Sequence, residues 1–309
     1  MEEFVGKEID GHYVRPMMQR VWEAQLDVVR AIDMICRKHS LTWFAAWGTL
    51  LGAVRHKGYI PWDDDIDIGM RRLDFEKFKR YAPKELPKGY TFNLNRDGNM
   101  RNLAFTVKTG SSIITDESYL NSHHGCPYPV GVDIFVFDNV PDDPVERQDY
   151  VGIFSHAGVA AQTIEPGMTY ADCDQELRDL IDTTEQLTGV HLDKTKALQA
   201  PLMILSDQIA AMYYDVKTEH IAIAGCLTWN IERYSLKREW FDKIIKLPFG
   251  SGQMNCPVEY DEILKRCYGE NYMTPVEFHN HEHSFIQQEQ VLHEAYISKG
   301  LEIPEIFRE

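Results

Sequence analysis

Apolar residues recur at nearly helical spacing over residues 16–39, at Met17, Val21, Trp22, Leu26, Val29, Ile32 and Ile35, which predicts an amphipathic helix. The period then changes. Residues 41–47 form a short apolar, aromatic-rich run that suits a buried strand, and Gly48-Thr49 breaks it. Residues 50–56 suit a short helix opening at that break, Ile60-Pro61 a turn, and residues 65–70 the next strand. A helix is expected over 73–83, with Asp74 near its start where an acid favours the helix dipole. Residues 90–95, 102–108, 112–115 and 130–137 have β-like composition, and Pro141-Asp142-Asp143-Pro144 is the clearest break. Beyond it, helical runs are expected around 145–162, 172–189, 201–215 and 218–235, followed by a mixed segment from Trp240 onward. The pattern predicts an α+β fold: a mixed β-sheet core with flanking helices over 1–140, then a mostly helical region over 141–309. Whether the second region stands apart or packs with the core as one unit stays open.

Composition narrows the function classes. Lys and Arg number 32 against 48 Asp and Glu, a net charge of −16, whereas nucleic-acid surfaces and basic membrane anchors rely on cationic excess. No nucleic-acid partner is therefore expected, and an anionic substrate would need local cations or a divalent metal. The six cysteines are scattered without a CxxC pair, the N-terminus lacks a signal-peptide pattern, and no run approaches the roughly 18 apolar residues of a membrane span. These features point to a cytoplasmic setting with free thiols, in which a membrane-linked acceptor would be met peripherally.

The densest chemistry is Asp63-Asp64-Asp65-Ile66-Asp67. In an extended chain Asp63, Asp65 and Asp67 share one face, Asp64 points elsewhere, and Ile66 and Ile68 enter the core. Massing like charge beside an apolar face is costly unless a cation relieves it. Asp65 and Asp67 are thus candidate ligands for Mg²⁺ or Mn²⁺, which take oxygen donors and leave positions for substrate phosphates. Upstream, Gly48 and Thr49 would present backbone N–H groups and a hydroxyl to a phosphate at a helix N-terminus. Asp133, at the start of the apolar run 131–138, would complete the set as a third ligand or as the base. A Gly–small-residue turn, an Asp-x-Asp strand and a third acid together resemble the nucleotidyltransferase fold.

The unbroken stretch Trp47-Gly48-Thr49-Leu50-Leu51-Gly52-Ala53-Val54-Arg55-His56-Lys57-Gly58-Tyr59-Ile60-Pro61-Trp62-Asp63-Asp64-Asp65-Ile66-Asp67-Ile68 closely resembles the signature of the LicD family, related to fukutin and fukutin-related protein. Gly131 to Asp138 supports the likeness, as do Leu247-Pro248-Phe249 and Tyr268-Gly269-Glu270-Asn271-Tyr272-Met273 more loosely. The resemblance implies transfer of a phospho-alcohol from a CDP-alcohol, with CDP-choline favoured, onto a sugar hydroxyl of a teichoic acid or other cell-surface glycan, with CMP leaving. The acceptor would be a glycan or a lipid-linked glycan. In that reaction Asp65, Asp67 and Asp133 would hold metal or take the acceptor's proton, and Gly48, Thr49, Arg55, Lys57 and, more weakly, Lys108 would meet donor phosphates. His279, His281 and His283 fit no structural-zinc spacing with Cys256 and Cys267; His281 is the histidine expected to reach the site. Two other readings remain at this stage: a nucleotidyltransferase moving NMP from an NTP, and a non-catalytic scaffold of surface-glycan assembly.

Overall fold

The computed structural model describes residues 4–94, 104–276 and 288–307. A small hairpin, β1 (Lys7–Ile9) and β2 (His12–Val14), leads into the long helix α1 (Pro16–Lys38), which starts on a proline and ends on Arg37 and Lys38. Its inner face buries Val21, Leu26, Val29, Ile32 and Ile35, as the spacing predicts. Next come β3 (Phe44–Ala45), α2 (Trp47–Arg55), β4 (Asp67–Arg71) and α3 (Arg72–Glu85), which follows β4 without a loop. The strands β5 (Thr91–Leu94) and β6 (Ala104–Lys108), the short α4 (Glu117–Ser122) and the long β7 (Gly131–Val140) complete this half.

These strands form a mixed sheet in the order β3-β4-β7-β6-β5. Only β4 and β7 run parallel, pairing Asp67 with Asp133 and Ile68 with Ile134. β7 is the spine, flanked by β4 on one side and antiparallel β6 on the other.

Asp143 caps α5 (Pro144–Thr163), accepting from the N–H groups of Val145 and Glu146, so the Pro-Asp-Asp-Pro break is a helix start. α6 (Gln175–Thr188) and α7 (Gln199–Ala210) pack on α5, and two satellite clusters of apolar side chains form there. Residues 218–235 depart from the expected helix. They form β8 (His220–Ala222), α8 (Ala224–Leu227) and α9 (Ile231–Tyr234). Ile221-Ala222-Ile223 is an apolar run that periodicity alone cannot assign, and the far end of β7, Asp138 to Val140, offers it a partner. β9 (Leu236–Lys237) pairs with β8; β10 (Ile244–Phe249) and β11 (Gly252–Pro257) form a hairpin; α10 (Tyr260–Tyr268) and α11 (Glu289–Ser298) follow.

Three further departures concern β structure. The apolar run 41–47 pairs only at Phe44–Ala45, because Trp43 and Ala46 are buried by side-chain packing and Trp47 already opens α2. Residues 112–115 form no strand. β4 begins at Asp67, two residues later than expected: the turn at Pro61-Trp62 keeps 63–65 out of the ladder, and Ile66 enters it only through its carbonyl, which accepts the Asp133 N–H at 2.9 Å.

The main core draws on both halves of the chain, from Val28 and Phe75 to Phe249, Leu264 and Phe307. Among the described residues no helix is long and apolar enough to cross a membrane. Arg72, at the start of α3, ties the halves together. It forks onto buried Asp138 of β7 at 2.7 and 2.8 Å and also reaches Asp207 of α7 at 2.8 Å. Removing one partner of a buried pair strands the other charge, at a cost of about 3–5 kcal/mol. Arg72→Met should therefore lower unfolding free energy by about 3 kcal/mol or more in urea titrations, and a loss under about 1 kcal/mol would show that the clamp adds nothing.

Candidate active site

The acidic segment is held from behind through its backbone. Trp22 of α1 donates its indole N–H to the Asp63 carbonyl at 3.0 Å, and the Gln25 amide donates to the Asp64 carbonyl at 2.8 Å. The buried Tyr59 hydroxyl shares its one proton between the Trp22 carbonyl and Gln25 Oε1, while its ring stacks on Trp22 at 4.7 Å. With the carbonyls of Asp63 and Asp64 engaged, the three aspartates from 63 to 65 converge: one carboxylate oxygen from each lies within 4.8 Å of the others. Asp64 therefore joins its neighbours instead of pointing away. Strict alternation fails here because residues 63–65 precede the strand.

Asp67 and Asp133 stand side by side at the N-terminal ends of β4 and β7. Thr49 is buried, and its hydroxyl accepts the Asp67 backbone N–H at 2.8 Å, so it pins the strand on which that carboxylate stands. Thr106, opposite Asp133 on β6, donates to Asp133 Oδ1 at 2.5 Å. Gly48 is demanded by crowding: a Cβ there would come within 2.7 Å of Asp63 Oδ2. Trp47, just before it, holds a left-handed backbone (φ 45°), and its buried indole N–H has no hydrogen-bond partner among the described residues. Strain of this kind gathers at functional sites.

All four of Asp63, Asp65, Asp67 and Asp133 are raised above the ordinary carboxylate value, and loss of hydration is the first cause for each. Mutual repulsion adds to it. The charges of Asp65, Asp133 and Asp63 push up Asp67, and those of Asp63, Asp64 and Asp133 push up Asp65. Relief is modest, from Thr106 and the Lys108 charge at Asp133 and from a carboxyl–carboxyl hydrogen bond with Asp65 at Asp63. Lys108 is positioned beside Gly131, whose absent side chain leaves room for the lysine stem. A dense set of hard oxygen donors with little balancing charge is one that could hold a divalent cation.

A recess of about 510 Å³ opens beside this cluster, with Gly48, Asp63, Arg55, Trp62, Arg233 and Tyr268 in its walls. Arg55 gives one donor to the Tyr272 carbonyl and another to His56. Lys57 is exposed and lies outside the recess wall, while its carbonyl accepts from Gly250. His281 lies outside the described residues. The pattern of the sequence did not reveal Arg233, which sits in the stretch 145–235 where no motif was read, nor the supporting roles of Gln25 and Thr106. Tyr268 belongs to a loosely matching stretch but carried no assigned role; its side chain is partly exposed, and desolvation of the hydroxyl, with the charges of Cys267, Asp67 and Asp63, holds that group above its ordinary value.

Residues 40–144, which span β3 through β7 and all five acids, match the family described as LicD/FKTN/FKRP, nucleotidyltransferase domain. The chain is 24% identical to a protein of Haemophilus influenzae called lipopolysaccharide cholinephosphotransferase LicD, over 82% of this chain and 90% of that one. Shorter similarities reach 41% identity with an uncharacterized protein of Rickettsia prowazekii, over 20% of this chain and 24% of that one. An uncharacterized protein of Rickettsia typhi is 42% identical over 19% of each chain.

Raised carboxyls make the folded state bind protons more tightly than the unfolded chain, so stability attached to them falls as pH climbs above their ordinary 3.8. In a chelator, the double variant Asp65→Asn/Asp67→Asn should gain melting temperature relative to wild type as pH rises from about 5 to about 8. A gap that does not change with pH would contradict the mutual crowding.

Proposed function

We propose that this chain, whose residues 40–144 match the LicD/FKTN/FKRP nucleotidyltransferase domain, transfers phosphocholine from CDP-choline to a sugar hydroxyl of a lipopolysaccharide-type glycan, releasing CMP. The observation that carries this reading is the juxtaposition of the Asp63–Asp64–Asp65 trio, the Asp67–Asp133 pair within reach of its charge, and a recess bearing Arg55 and Arg233. The relative from Haemophilus influenzae, named for lipopolysaccharide and cholinephosphotransfer, supports the choice of head group and acceptor.

Phosphoryl transfer asks for positioning and charge neutralisation more than for covalent chemistry by the protein. Mg²⁺, when bound, would neutralise the donor's diphosphate and be held by Asp65 and Asp67 with Asp63 or Asp133. Arg55 and Arg233 meet the remaining phosphate charge from the recess wall. The acceptor oxygen attacks the β-phosphorus, the bond to the CMP oxygen breaks, and CMP leaves with that electron pair. Asp133 is the group at hand for the hydroxyl proton: burial raises its carboxyl above the ordinary value, which makes its carboxylate a stronger base, and Thr106 fixes its orientation. Gly48 and Thr49 act by shaping the cluster, one admitting Asp63 and the other anchoring Asp67.

The test is CMP release from CDP-choline with a lipopolysaccharide core oligosaccharide, with and without Mg²⁺. Release should require both the ion and the oligosaccharide, and Asp65→Asn or Asp67→Asn should cut it by about a hundredfold or more without unfolding. If CDP-choline, CDP-ribitol and CDP-glycerol are all inert while an NTP yields pyrophosphate, the protein is a nucleotidyltransferase instead. Full cellular function in the double asparagine variant would leave only a scaffold role.

A further inference from the structure

Beside the recess, α8 and α9 carry a small aromatic array that the family match does not reach. Of the chain's six tryptophans, Trp229 alone is exposed, at 47%. Its ring meets Tyr234 edge to face at 6.0 Å, and Tyr234 meets Trp47 at 5.7 Å. Trp47 adjoins Gly48, which abuts the Asp63 carboxylate. Three rings thus step from the surface to the acidic cluster.

The array is fixed in place. The Trp229 backbone N–H bonds the Cys226 carbonyl at 3.1 Å, and the side chain of Asn230 caps α9 by accepting the Arg233 N–H at 2.8 Å. With the backbone held and Tyr234 against one edge, the ring has only its own two side-chain torsions to lose on binding. Single exposed apolar residues are common and need no explanation. This one differs because its neighbour in the array, Arg233, also lines the recess.

Resting on the transferase reading, we propose that Trp229, with Tyr234, forms the acceptor subsite beside the donor-facing Arg233 and packs against the C–H face of a sugar ring whose hydroxyl reaches the cluster. A flat ring suits that face: it buries apolar C–H groups while the sugar's hydroxyls stay solvated at the rim. The charge argues against the rival occupant, a quaternary ammonium. The Arg233 guanidinium already stands over the Tyr234 ring at 5.6 Å, so a cationic head group would meet like charge. An uncharged or phosphate-bearing sugar would not.

The experiment titrates a delipidated lipopolysaccharide core oligosaccharide into the full chain by calorimetry, and CDP-choline with Mg²⁺ separately. Trp229→Ala should weaken oligosaccharide binding about tenfold or more and leave donor affinity unchanged, while Trp229→Phe keeps most of it. Equal oligosaccharide affinity in wild type and Trp229→Ala, or none in either, overturns the subsite, as does loss of donor affinity in place of acceptor affinity. Trp229-dependent oligosaccharide binding by a protein that releases no CMP from CDP-choline would keep the subsite and remove the transferase reading.

Discussion

Two negatively charged strand ends placed side by side are unfavourable, and the parallel pairing of β4 with β7 enforces just that contact between Asp67 and Asp133. The cost is not spread over a wet surface. Ile66, Ile68, Val132 and Ile134 are all fully buried around the pair, so the register cannot slip by one residue without turning the carboxylates into the core. Apolar packing thereby holds the charges together against their repulsion. Asp63, Asp64 and Asp65 increase that load from the preceding loop, which α1 fixes through two carbonyl oxygens.

The remaining architecture can be read as support for this arrangement. α2 supplies the hydroxyl that fixes Asp67 and the glycine that admits Asp63; β6 supplies the threonine that orients Asp133. The later part of the chain adds what the sheet lacks, namely Arg233 on α9 and the rings of Tyr268, at the end of α10, and Tyr272 just beyond it, which wall the recess. Its attachment is deep: β8 extends the sheet from the far end of β7, and Arg72 bridges β7 to α7. A site shared between both parts of the chain needs such a joint, since small misplacements of a cation relative to the carboxylates lose rate steeply.

Much of this was legible in the amino-acid pattern. The periodicity of 16–39 and the apolar stretch at 131–138 locate α1 and β7, and the alternation after Asp65 locates β4 to within two residues. The α+β class followed from those elements. Three features escaped for physical reasons. Asp64 was assigned by strand alternation, which does not apply in a loop before the ladder begins. Residues 218–235 carry apolar runs too short to distinguish helix from strand, and tertiary pairing decided the outcome. Arg233 has no local signal, because its importance comes from where α9 is packed and not from its neighbours in sequence.

The central proposal is that Asp63, Asp64 and Asp65, with Asp67 and Asp133 beside them, hold a divalent cation. Mn²⁺ titration followed by electron paramagnetic resonance tests it without any assumption about substrate. Saturable binding that is lost in Asp67→Asn and weakened in Asp133→Asn is the result this account predicts. Wild-type protein that shows no saturable Mn²⁺ binding, or binding that survives both substitutions, would contradict it.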